Sequence, residues 1–360
     1  MDLSCFSQNY AEARQKFLQA CTNAGLEVES HIHPLPGKDG EELALDVALF
    51  GSHKAANLLV LSSGVHGVEG FCGSAVQVDH LRNSDWVEHC RRHDLAVLYL
   101  HAINPYGFSW LRRVNEDNVD INRNFIDFDN PLPDNPHYRS VASFLLPRRQ
   151  PPTLFGTLGL AGYALRHGVK TLQTAITSGQ NSDPDGLFFS GTQPTWSNLQ
   201  VRQIIRRLGQ HCRRIGWIDV HTGLGAYGVG ERIYKGRTEP EDITRARQWW
   251  GAQVTTSVDG TSSSAVLDGT LDLAVMQECP HAQYNGLTLE FGTKSGPLVL
   301  KALSADQWLQ NHLDTAQAQR LRIKHQLRDA FYIDTDPWKQ QILEQARTVS
   351  ELTRLGLAAL

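Results

Sequence analysis

The stretch "ANLLVLSSGVHGVEG" (residues 56–70) runs a short apolar segment straight into serine, glycine, one histidine and one glutamate. A continuous apolar run of this length, closed by small polar residues, is the pattern of a strand buried on both faces of a sheet. Three further stretches repeat the layout: "LYLHAINPYG" (98–107), "GWIDVHTGLG" (216–225) and "GLTLEFGT" (286–293). "LALDVALFG" (43–51) alternates as a strand does, and "SAVQVDHLRN" (74–83) reads as a helix between two strands. Alternating strands and helices predict an α/β fold: a single domain with a mixed, mostly parallel twisted sheet flanked by helices on both faces. Ligands of such sheets bind beyond the carboxyl ends of the strands. The polar ends of the four stretches are therefore expected to gather at one edge.

The chain has 360 residues, of which 41% are hydrophobic, enough to bury a large core. Its formal net charge of −4 and its interspersed 20% of charged residues leave no basic footprint for nucleic acid and no polybasic membrane patch. Asp2, Glu12, Arg14 and Lys16 interrupt the N-terminus where a signal peptide needs an apolar core, so a cytoplasmic protein is expected. Six cysteines without a C-x-x-C pair suggest reduced, buried thiols. The pattern predicts an N-terminal helix ending near Gly25, a long loop over 126–158, and helices near 159–178, 197–211, 305–330 and 337–355. With no internal repeat and no linker, residues 1–360 are expected to form one catalytic domain with a long insertion around 126–200. Oligomeric state is not legible.

His66 and Glu69, three apart on a glycine-rich turn after a buried strand, fit a first pair of metal ligands. A catalytic zinc takes three protein nitrogen and oxygen donors and keeps one position open, and two histidines with one glutamate are a known set. His221, ending "WIDVHTG", is the candidate third ligand, with Asp219 or a backbone carbonyl to orient its ring. The plain alternatives are a solvated helix face for the pair and a strand-end cap for His221. "RRVNEDNVDINRNF" (112–125) packs three arginines and four asparagines, a good surface for anions because guanidinium groups grip carboxylates bidentately. Glu290 sits in what reads as a buried strand end, where an unpaired carboxylate is costly.

"HGVEG", "RVNEDNVDINRNF", "DVHTG" and "LEFGT", in this order, resemble the motifs of the zinc carboxypeptidase family. That family comprises carboxypeptidase A-like metallopeptidases and the related succinylglutamate desuccinylase/aspartoacylase-type deacylases. The resemblance implies one zinc per chain held by His66, Glu69 and His221. It implies Glu290 as general base and Arg113, seven residues before Asp120, as the group polarising the scissile carbonyl. Asn122 and Arg123 match the pair that binds a substrate carboxylate. The implied activity is hydrolysis of a peptide or amide bond beside a free carboxylate, on a small peptide or N-acyl amino acid. Two alternatives stay open: an aspartoacylase-like deacylase, and a catalytically silent protein binding a peptide terminus. The chain departs from the family at Asp117 and Asn118, where relatives have Asn-Gly, and in the length of the segment between Phe125 and Gly216. The family's active-site tyrosine could be Tyr227, Tyr234 or Tyr284. Asp259, Asp268 or Asp272 at the floor of a specificity pocket would favour a basic substrate side chain.

Overall fold

The computed structural model describes residues 1–92, 95–150 and 154–359. Asp94, ahead of one expected strand, Pro151 to Thr153 of the expected 126–158 loop, and Leu360 lie outside the described residues.

Seven strands form one sheet: β1 (Val28–Ile32), β2 (Ala44–Phe50), β3 (Asn57–Ser63), β4 (Leu95–His101), β5 (Arg214–Tyr227), β6 (Gly230–Lys235) and β7 (Gln283–Gly292). Their order is β1-β2-β4-β3-β5-β7-β6. The central strands β4, β3, β5 and β7 run parallel, and antiparallel pairs close both sides. β3 and β4 are buried along almost their whole length, as the continuous apolar runs require.

Helices cover both faces. On one, Phe17, Phe71, Trp250, Trp338 and Ile342 pack with Leu59, Leu61 and Leu289 of the sheet. On the other, Val201, Ile204, Ile205 and Val275 pack with Val60, Leu98 and Trp217. A third cluster joins the insertion (Tyr138, Val141, Ile176, Phe188) to Leu327 and Phe331 near the C-terminus. The six cysteines are free and buried. No helix among the described residues is long and apolar enough to cross a membrane.

Several expected boundaries are corrected. The 126–158 loop contains the helix Pro136–Leu145, started by the Asn135 side chain accepting from the Tyr138 N–H and by proline in its first turn. The single helix expected over 159–178 is two, Leu154–His167 and Val169–Thr177, separated at Gly168, whose φ of 92° no helix tolerates. The helix expected from 305 to 330 is likewise two, Gly296–Gln310 and Gln317–Phe331, followed by Asp336–Ala358.

Candidate metal centre

β3 ends at Ser63 and the chain turns through Gly64, whose φ of 65° suits a residue without a side chain. His66 follows, then the short 3-10 helix Gly67–Glu69. The Gly67 and Val68 N–H groups donate to the carbonyls of Arg113 (3.1 Å) and Arg112 (2.8 Å), docking the turn on the polar 112–125 stretch. Gly67 is pressed so closely that an added Cβ would lie 2.0 Å from the carbonyl carbon of Gly107. Parallel register sets Ser63 beside Val220 and His221 beside Glu290, so the strand ends converge as expected.

His66, Glu69 and His221 are buried, and one ligand atom from each lies within 4.8 Å of the others. Glu69 Oε2 accepts the Thr222 N–H (3.0 Å) and lies 3.2 Å from His221 Nδ1. The His221 ring is held by its other nitrogen: Nε2–H donates to Asp219 Oδ2 at 2.5 Å. Asp219 Oδ1 accepts from Ser62 Oγ (2.6 Å), which in turn accepts from Trp217 Nε1 (2.6 Å). Asp219 is thus the orienting partner foreseen as one of two options, and Ser62 and Trp217 extend the chain behind it.

These residues fit a zinc ion. The donors are two imidazoles and a carboxylate, the set a catalytic zinc takes. His66 Nδ1 is buried without a hydrogen-bond partner, 3.4 Å from Asp120 Oδ1. Burial, with Arg113 and His221 adding to it, holds the His66 imidazole well below its usual pKa, so the ring is neutral and its one lone pair, which Arg113 Nη2 faces at 2.7 Å, is the one a metal would take. At His221 burial opposes charge, but Asp219 and then Glu69 outweigh it and push the ring up to about 10. Metal binding must displace that proton.

Glu290 ends the ladder beside His221, its Oε1 accepting the Leu224 N–H at 3.0 Å. Burial first, and the Glu69 carboxylate second, push its carboxyl up to about 7. It pairs with no lysine among the described residues. Arg113 sits over the ligands: Nη1 donates to Glu69 Oε1 (2.7 Å), Nη2 to His66 Nε2 (2.7 Å) and Nε to Asp120 Oδ2 (3.3 Å). Arg123 is buried, with three hydrogen bonds to the carbonyls of Thr177 and Asn122, which leaves two of a guanidinium's five N–H donors for a ligand. The Asn122 Oδ1 accepts the Leu271 N–H (2.9 Å), fixing the amide.

Sequence reasoning missed Phe188. Its ring lies 5.4 Å from the Arg113 guanidinium and 5.9 Å from that of Arg123, and its φ of 56° is unusual for a bulky residue. One aromatic ring thereby serves two cations that repel each other. Nothing in "DGLFFSG" announces this contact, because the insertion delivers it from far along the chain. Of the candidate tyrosines, Tyr227 is exposed with its hydroxyl 3.4 Å from Thr335 Oγ1, Tyr234 donates to the Arg237 carbonyl, and Tyr284 is buried.

A family model described as "Protein of unknown function (DUF2817)" matches residues 6–345. No curated protein matches the chain. Among solved structures, carboxypeptidase A from Helicoverpa armigera is similar at 13% identity over 90% of this chain and 74% of that one, with a TM-score of 0.44. A metallo-carboxypeptidase from Pseudomonas aeruginosa, in complex with (2-guanidinoethylmercapto)succinic acid, is similar at 14% identity over 94% and 69%, with a TM-score of 0.40. An aspartoacylase family protein from Mesorhizobium loti is similar at 14% identity over 79% and 66%, with a TM-score of 0.36. Likeness at this level says nothing of activity, which has to come from the residues.

Proposed function

The chain belongs to the DUF2817 family, and we propose that it is a zinc-dependent hydrolase cleaving a peptide or amide bond next to a free carboxylate. The observation that carries this reading is the convergence of His66, Glu69 and His221 within 4.8 Å, with Glu290 on the adjoining strand end opposite His221. A bound zinc supplies Lewis acidity that brings the pKa of a coordinated water to about 7.

The chain's own groups do the rest. Glu290, with a carboxyl near neutrality, takes a proton from the attacking water and passes it to the leaving nitrogen. Arg113 offers N–H donors beside the ligands, where charge grows on the carbonyl oxygen in a site closed to bulk water. Asn122 and Arg123 hold the substrate carboxylate and so fix the scissile amide over the cluster. Phe188 keeps both guanidinium groups in place. In this reading Arg113 and Glu290 act on the reacting atoms, Asn122 and Arg123 bind, and His66, Glu69 and His221 hold one metal.

The test is a panel of small peptides and N-acyl amino acids, each with a free or an amidated C-terminus, offered to zinc-reconstituted protein. Hydrolysis of the free-carboxylate members alone is expected, and Glu290→Gln should lower kcat by at least about 100-fold while zinc stays bound. Equal cleavage of the amidated members, or full activity in Glu290→Gln, would refute the reading. Release of the acyl group from N-acyl amino acids, with peptides untouched, would place the enzyme with the deacylases.

A further inference from the structure

The helix Leu154–His167, in the middle of the insertion, buries none of its residues fully. Its inner side carries Gly156, Gly159, Leu160 and Tyr163. A Cβ on Gly156 would lie 2.6 Å from the Phe144 carbonyl oxygen, and one on Gly159 2.2 Å from the Phe144 ring, so the two glycines let this helix lie close on the helix Pro136–Leu145. Leu160 and Tyr163 pack against the cluster that joins the insertion to Leu327 and Phe331.

The outer side is apolar as well. Leu154, Leu158, Ala161 and Leu165 recur at intervals of four, three and four residues, which stacks them on one face. Phe155 and Gly162 border that face. Leu154, Phe155, Leu158 and Leu165 are 65–89% exposed, and a Cβ on Gly162 would meet nothing within 4 Å. No Asp, Glu, Lys or Arg stands between Gln150 and Leu165. A contiguous exposed apolar stripe of this kind marks an interaction surface.

Its surroundings carry one sign of charge. Residues 135–182 contain five Lys and Arg and no Asp or Glu, in a chain of net charge −4. The whole-chain count, which speaks against a membrane patch, hides this local excess. Arg139 is paired with Asp134 (2.9 Å), and Lys170 donates to the Gly260 carbonyl (3.4 Å). Asp259, which sequence reasoning set at a pocket floor, is at the surface beside Arg247 (3.4 Å). Arg148 and Arg149, ahead of the helix, and Arg166, in its last turn, are exposed, and among the described residues no ion pair within 4.0 Å holds any of them.

Charge and length select the occupant. A second copy of the chain laid antiparallel on this face would bring Arg166 of each copy to the other's arginine-bearing end, and a parallel pair would set Arg166 against Arg166. No carboxylate in the segment relieves either repulsion. A nucleic acid would answer the arginines and leave the leucines in water. An anionic bilayer answers both, because its headgroups meet the guanidinium groups while its acyl boundary takes an apolar helix face to a depth of about 5–10 Å. The helix has 14 residues, about 21 Å of length against a hydrocarbon core of about 30 Å, so it lies in the interface and does not span.

We infer that the face formed by Leu154, Leu158, Ala161 and Leu165, with Arg148, Arg149 and Arg166 around it, docks the protein on an anionic lipid surface. Nothing in this inference rests on the hydrolase reading.

Flotation of the full chain with vesicles tests it, comparing phosphatidylcholine alone with an equal mixture of phosphatidylcholine and phosphatidylglycerol. Each arginine near an anionic surface is worth about fivefold in affinity, so the mixed vesicles should bind about 100-fold more tightly. Leu158→Asp combined with Leu165→Asp should lower binding to the mixed vesicles by at least about tenfold, since two leucines no longer enter the apolar layer. Both positions are exposed, so the urea midpoint should match that of the wild type, which separates lost docking from lost folding. Arg148→Gln, Arg149→Gln and Arg166→Gln combined should bring the two vesicle compositions within about threefold of each other. Sedimentation velocity without lipid should give the wild type and the leucine variant the same mass. No binding to the mixed vesicles, equal binding of the wild type to both compositions, or unchanged binding in the leucine variant would overturn the inference. A wild-type dimer that the leucine variant dissociates would overturn it too, by giving the face to a second copy.

Discussion

Replacing Asp219 by asparagine separates a structural role from a metal-directing one. In the structure both carboxylate oxygens are acceptors: Oδ1 takes the Ser62 hydroxyl at 2.6 Å and Oδ2 takes His221 Nε2–H at 2.5 Å. Ser62 is itself committed as a donor, because it accepts from Trp217 Nε1–H, a group that can only donate. An asparagine amide has one acceptor and one donor, so it cannot serve both neighbours. If its oxygen stays with Ser62, its NH₂ faces His221 Nε2 and drives the ring proton to Nδ1, the nitrogen turned toward Glu69. The lone pair a metal needs is then gone. If the amide is reversed, a buried donor loses its acceptor at a cost of about 1–3 kcal/mol. Either way zinc affinity should fall by about 10- to 100-fold, which is about 1.4–2.7 kcal/mol. Competition against a fluorescent zinc chelator measures this directly. Ser62→Ala, which leaves the carboxylate in place, should cost less than about threefold, since it removes one hydrogen bond behind the ligand. An Asp219→Asn protein binding zinc within about twofold of wild type, or a Ser62→Ala protein weaker than Asp219→Asn, would refute the idea that Asp219 sets the His221 tautomer.

Gly67→Ala should lower the urea midpoint and weaken zinc binding, because its Cβ would lie 2.0 Å from Gly107 C and 2.2 Å from Phe108 N and the ligand turn must back away. A cost of about 1–3 kcal/mol is expected, whereas Gly162→Ala, inside a helix with nothing within 4 Å of the new carbon, should stabilise the protein slightly. Acid should destabilise the fold independently of the metal cluster. Burial pushes His80 and His101 down to about 4 from 6.5, with Asp79 and Asp46 only partly opposing it. Their contribution is fully present above pH 6.5 and is lost as pH falls toward 4, because the unfolded chain takes up those protons first. Each is worth at most about 3 kcal/mol, and urea titrations between those limits should show a smaller pH slope in His80→Phe than in wild type.

How much of this was legible depends on how local each signal is. The central strands were readable because burial on both faces leaves uninterrupted apolar runs such as "NLLVLSS" and "LAVLYLH". The proximity of His66, Glu69 and His221 was readable because they follow the ends of such runs, and the parallel register then aligns those ends. Edge strands β1 and β6 were missed, since neither carries a long apolar run: their residues are mostly half-exposed or exposed. Missing β6 meant missing the antiparallel pairing that sets Glu231 beside Glu290 and Lys235 beside Gly286, which no motif announces. The helix Pro136–Leu145 was obscured by the prolines around it, although Asn135 followed by Pro136 is a helix start in its own right. Gly168 likewise marked the break that divides the 154–177 region into two helices. Phe188 could not have been found, because what makes it matter is the distance of its ring from two arginines more than sixty residues earlier.

The central claim is that His66, Glu69 and His221 hold one zinc ion. Metal content per chain, measured by elemental analysis after zinc loading and exhaustive dialysis, tests it most directly in wild type and in His221→Gln. About one zinc per chain in the wild type and close to none in the variant is the predicted result, as a site of three protein ligands requires. Equal zinc in both proteins, or none in the wild type, would contradict it.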